Sequence, residues 1–109
     1  MNHDLDLKAQ VKQILKVVQE LAPGRSVELR IPPFAAIQCV GGSTHRRGTP
    51  PNVVEMNAET LIKLINQPIE WSKLCQEGLI PASGARSDIS ELMLRASKLI
   101  KNIDRNLNG

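Results

Sequence analysis

Aromatic residues are nearly missing from this chain, which has no Tyr, one Phe and one Trp, so its core must be built from Leu, Ile, Val, Ala and Met. That shortage argues against nucleic acid as a partner, because non-specific single-strand binders line a positive groove with aromatic stacking platforms. Charge points the same way: a net +3 and a pI near 9.1 are mild, and the charges are spread rather than gathered into a basic block. Cysteine is equally sparse. Cys39 and Cys75 lie in apolar stretches without partners at zinc spacing, which predicts buried free thiols in a reducing compartment and no metal site. The two histidines, His3 and His45, fall near the start of the chain and in a loop. No base, nucleophile and orienting group come together on that pattern, so neither enzymatic activity nor a cofactor is expected. No run approaches the roughly 20 apolar residues of a membrane span, and M-N-H-D-L-D-L-K lacks a cationic start leading into an apolar stretch. The expectation is a cytoplasmic protein with no transmembrane segment.

What the chain does have is aliphatic periodicity. Apolar residues make up 41% of 109, enough for one modest core that removes roughly two-thirds of the unfolded surface from water, so one domain over residues 1–109 is expected. Leu7, Val11, Ile14, Leu15, Val18 and Leu21 recur at helical spacing, predicting an amphipathic helix over residues 5 to 22, capped by Asp4 or Asp6 and stopped by Pro23-Gly24. Val27, Leu29 and Ile31 alternate with Glu28 and Arg30, the period of a strand with one wet face. The next two strands, residues 34 to 40 and 52 to 56, are more uniformly apolar and are expected to lie deeper. Asn57 is placed to cap a helix carrying Leu61, Leu64 and Ile65, which Pro68 ends before a short helix around Trp71. After Gly78, Leu79 to Ser83 reads as a short edge strand, since Pro81 cannot donate to a neighbour. Asp88 and Glu91 have capping-box spacing and open a last amphipathic helix over about residues 88 to 105. The pattern describes one α+β unit of about four strands covered by helices.

Between the second and third strands lie Gly41-Gly42 and then His45-Arg46-Arg47-Gly48, cationic groups on a pliable backbone. A connection of about ten residues exceeds the usual hairpin loop, and loops of that length carry function more often than short ones. His45, Arg46 and Arg47 are therefore a candidate anion-contacting loop, with a solvated hairpin tip as the plainer reading. Arg86 and Asp88 in G-A-R-S-D-I-S could mark a second anion site at a helix start, against the simpler reading of a helix cap beside a solvated Arg.

Three stretches, R-I-P-P-F-A-A-I-Q-C-V, H-R-R-G-T-P-P-N-V-V-E-M and W-S-K-L-C-Q-E-G-L-I-P-A-S-G-A-R-S-D-I-S, together resemble the small bacterial sterol-carrier-family proteins, relatives of the sterol carrier protein type-two fold. The resemblance covers roughly residues 27 to 92. It implies a sandwich of one twisted sheet of about four to five strands with helices packed on one face, and an apolar space between them. The function it implies is non-enzymatic binding of an apolar ligand such as a lipid, a fatty acyl chain or a sterol-like molecule. Phe34, Ile37, Val54, Met56, Leu61, Leu64, Trp71 and Leu79 are the candidate pocket residues. The alternative is a protein-interaction or oligomerisation module, homodimer or complex, that uses Leu94 and Leu107 off the buried stripe of the last helix, contacts anionic surface through the basic loop and carries no lipid.

Overall fold

The computed structural model describes residues 3–42 and 52–108, and the side chains of residues 5–42 and 52–103. Helix α1 (His3–Leu21) buries Leu7, Val11, Ile14, Leu15 and Val18 while Lys8, Lys12 and Lys16 stay in solvent. Its last hydrogen bond runs from Ala22 N to Val18 O; Pro23 then offers no donor, and Gly24 turns the chain at φ 149°.

The strands β1 (Val27–Ile31), β2 (Ala35–Cys39), β3 (Asn52–Glu55) and β4 (Ala82–Ser83) form one mixed sheet in the order β2-β1-β3-β4. The β1–β2 hairpin turns through Pro32-Pro33, whose peptide bond is cis, and pairs Val27 with Cys39 and Ile31 with Ala35. β3 runs parallel to β1, with Val27 beside Asn52 and Leu29 beside Val54. One face of the sheet is apolar and covered: Val27, Leu29, Ile31 and Val54 have no exposed surface. The other carries Glu28, Arg30, Val53 and Glu55, half-buried, with Arg30 and Glu28 paired.

Two expectations change here. β2 and β3 do not form a hairpin pair, because β1 lies between them in the sheet. β2 is also shallower than its composition suggests, since it forms the sheet's edge and only Cys39 is fully buried. β1 is the deeper strand despite its charged alternate residues, since partners on both sides shield its backbone and its apolar residues all face the helices.

Helix α2 (Ala58–Asn66) starts where Asn57 Oδ1 accepts from Thr60 N at 2.8 Å, the cap its sequence position predicts, and it buries Leu61, Leu64 and Ile65. Pro68 breaks it into a 3₁₀ turn (Pro68–Glu70) that runs directly into α3 (Trp71–Gln76). The strand expected from Leu79 shrinks to the two residues of β4, with Ile80 buried ahead of it. Helix α4 (Ser90–Asn108) packs through Ile89, Leu92, Met93, Ala96 and Ser97. The Ser97 hydroxyl donates to Ile65 O, and Lys101 Nζ donates to Asn66 O at 2.9 Å, so α4 satisfies the end carbonyls of α2. The buried stripe is shorter than its sequence pattern predicts: Ile100 is half-buried, while Leu99 and Ile103 are each 40% exposed.

Candidate apolar groove beside Trp71

The 3₁₀ turn places Ile69 and Trp71 very differently, although they are two residues apart. Trp71 is the first residue of α3 and packs into the core at 7% exposure, whereas Ile69 projects outward at 90%. Across from them is the first stretch of α4, where Leu94 sits off the core stripe at 39% exposure. Pro68, Ile69, Trp71 and Leu94 thereby wall a groove of about 930 Å³, open to solvent. Asn66, Gln67, Ser72 and Ser90 add neutral hydrogen-bonding groups, and Glu70 and Glu91 are its charged lining residues. A largely apolar concavity with a few polar groups is the general form of a small-molecule site.

Of the eight apolar residues singled out from the sequence, Trp71 lines this groove and the other seven do not. Val54, Met56, Leu61 and Leu64 are at most 2% exposed and belong to the core cluster with Trp71. Phe34 and Ile37 pack partly buried against that cluster, and Leu79 is 44% exposed beyond Gly78. Ile69, Glu70 and Glu91 were not legible as site residues, because a three-residue turn has no period from which an orientation can be read. Leu94 was legible as an off-stripe position of a helix.

His45, Arg46 and Arg47 lie outside the described residues, but the two ends of their loop are visible. Asn52, 4% exposed, donates from Nδ2 to Ser26 O at 2.8 Å and accepts at Oδ1 from Arg86 N at 2.8 Å. Arg86 Nη1 in turn donates to Gly41 O at 3.2 Å. One buried amide thus ties the start of β1, the start of β3 and the approach to α4 together at the mouth of the loop. Asp88 serves as a cap: its Oδ1 accepts from Ser90 N at 3.0 Å, not from the residue that capping-box spacing would select. Hydrogen bonds from the Ser90 side chain and then its backbone hold the Asp88 carboxyl below the ordinary carboxylate range. Asp88 is the cap of the plainer reading, whereas Arg86 is not the solvated side chain which that reading supposes but is tied to Asn52 and Gly41. Leu107, the other off-stripe candidate, has its side chain outside the described residues.

Both cysteines are free. Burial pushes the Cys39 thiol up to about 11, and Cys75, which is only half-buried, is raised by desolvation and then by the Asp88 carboxylate. The two should separate on titration with a thiol reagent at neutral pH: Cys75 reacts in the folded protein, and Cys39 reacts only as denaturant unfolds it. Because the folded Cys39 pKa lies above its unfolded value of 9.0, stability should also fall as pH rises from about 9 to about 11, and a Cys39→Ala variant should show a shallower slope, keeping only what the raised Cys75 thiol contributes. Simultaneous modification of both thiols in native protein would contradict the burial of Cys39.

Among the described residues, no helix is long and apolar enough to cross a membrane, and no group of three or more His, Cys, Asp or Glu is arranged to hold a metal ion. The architecture is that of a small α+β domain: an open mixed sheet with its apolar face under helices. A family model described as Bacterial SCP ortholog matches residues 4–94, and the chain belongs to that bacterial sterol-carrier family. No curated protein matched the chain.

Proposed function

We propose that this chain is a non-enzymatic binding module for an apolar ligand, taken up in the groove between the 3₁₀ turn, α3 and α4. The observation that carries this reading is the exposure of two large apolar residues, Ile69 and Leu94, in the lining of one concave surface that Trp71 also walls. Membership of the sterol-carrier family supports an apolar ligand, and a volume of about 930 Å³ is ample for a chain of lipid size. The deeper position expected for the pocket, among Val54, Met56, Leu61 and Leu64, is less suited, because those side chains already pack against one another.

Titration with 1-dodecanol, followed by the emission of Trp71 as the chain's one tryptophan, tests the proposal. A saturable blue shift is expected. The double variant Ile69→Asp/Leu94→Asp should bind about tenfold or more weakly, since losing two apolar contacts removes roughly 1.5–3 kcal/mol. Both positions are at the surface, so circular dichroism and the unfolding midpoint should be nearly unchanged. Wild-type protein that gives no saturable response, and that yields no lipid on extraction from cells, would count against carriage.

A further inference from the structure

The groove's charge is one-sided. Glu70 and Glu91 both line it, one from the 3₁₀ turn and one from the first turn of α4, and among the described residues no lysine or arginine does. Lys101 of α4 is engaged with Asn66 O. An anionic amphiphile bound with its chain against Ile69, Trp71 and Leu94 would therefore bring its head to a lining that holds two carboxylates and no cation. A cationic head would meet complementary charge, and Gln67 and Ser90 offer oxygen acceptors for its N–H donors.

Resting on the reading of this groove as the ligand site, we infer that it selects amphiphiles with a cationic head, of the long-chain amine class, over fatty acids of the same chain length. The selection comes from the lining charges, while the apolar wall supplies chain affinity that all heads share. Charge pairs at an exposed site are each worth only a few tenths of a kcal/mol up to about 1, so two carboxylates set the scale of preference at about tenfold. Screening should reduce it as salt rises.

The test compares dodecylamine, 1-dodecanol and dodecanoate at submicellar concentrations and pH 7, with Trp71 emission and calorimetry as readouts. The expected order of affinity is amine, then alcohol, then carboxylate, with about tenfold between the first and last. In the Glu70→Gln/Glu91→Gln variant that gap should close, because the amine loses affinity and dodecanoate gains it. Wild-type protein that binds 1-dodecanol but takes dodecanoate as tightly as dodecylamine overturns this inference and leaves the apolar-ligand reading standing. A preference that persists undiminished in the double Gln variant also overturns it, since the carboxylates would not be its source. If none of the three binds, the groove is not a ligand site and both readings fall.

Discussion

Replacing Gly24 with Ala is expected to lower the unfolding free energy by about 4 kcal/mol, combining an unfavourable backbone conformation with a steric clash, each worth roughly 1–3 kcal/mol. Gly24 has φ 149°, a conformation that side chains rarely adopt, and a Cβ there would lie 2.3 Å from Val40 O and 2.4 Å from Gly41 N. Both obstacles are backbone. Neither can swing aside, because Val40 N donates to Ala22 O at 2.7 Å and Val40 O accepts from Ser26 N at 2.9 Å. Val40 itself is held at φ 63°, which a β-branched residue tolerates poorly, so this corner already stores strain that those two bonds maintain. For a domain near 100 residues, a loss of that size corresponds to a fall in Tm of roughly 15 °C or more. Two other glycines serve as controls. Gly41→Ala should be mild, as its Cβ meets only Pro23 O at 3.6 Å, and Gly78→Ala should pay for its φ of 77° alone, with open space around it. Equal midpoints for the three variants in urea unfolding would remove the close approach as an explanation.

That corner also illustrates which parts of the fold local sequence can announce. Pro23-Gly24 is readable as a helix stop, and Asn57 as a cap, because each acts on neighbours within four residues. The contact of Gly24 with Val40 is not readable, since it joins residues 16 apart that only the sheet brings together. The strands divide along the same line. Alternation in Val27, Leu29 and Ile31 assigned β1 its inward face correctly, but the depth of a strand depends on how many neighbours flank it. Because the parallel pairing of β1 with β3 is non-local, the apolar composition of β2 suggested a buried strand where the structure has an edge.

The candidate site shows a sharper limit. Trp71 was legible because a large aromatic residue in an aliphatic chain must be either core or wall, and here it is both. Val54, Met56, Leu61 and Leu64 were legible as apolar and inward-facing, yet the same property describes a core residue and a pocket residue. Only exposure separates them, and exposure is set by packing. Ile69 has the opposite history. Nothing local distinguishes it from a core isoleucine; it reaches solvent because Pro68 ends α2 and the three-residue turn buries none of its residues.

Asn52→Asp is expected to cost about 3 kcal/mol at pH 7, because it removes the buried amide donor that serves Ser26 O and Oγ and leaves a charge beside the carbonyl oxygen. The shape barely changes. What changes is the donor: Asn52 Nδ2 gives a proton to Ser26 O, whereas a carboxylate can only accept, so two oxygens would face each other at 2.8 Å. The bond from Arg86 N to Oδ1 survives, which isolates the cost at the β1 side of the tether. Burial and that facing carbonyl both favour the protonated acid, so the new carboxyl's folded pKa should stand above its unfolded value of about 3.9. The folded state then binds more protons than the unfolded one over that interval, and the variant's stability relative to wild type must rise as pH falls through the raised folded pKa. Asn52→Ala provides the contrast, since it loses every side-chain bond to Ser26 and from Arg86 N and cannot regain any by protonation. Urea unfolding of the three proteins at pH 7.5 and pH 5 reads the difference directly: the Asp variant should recover part of its deficit at pH 5, and the Ala variant should recover none. A pH-independent deficit in the Asp variant, or no deficit at pH 7.5, would mean that the Asn52 amide does not hold Ser26 and the mouth of the loop together.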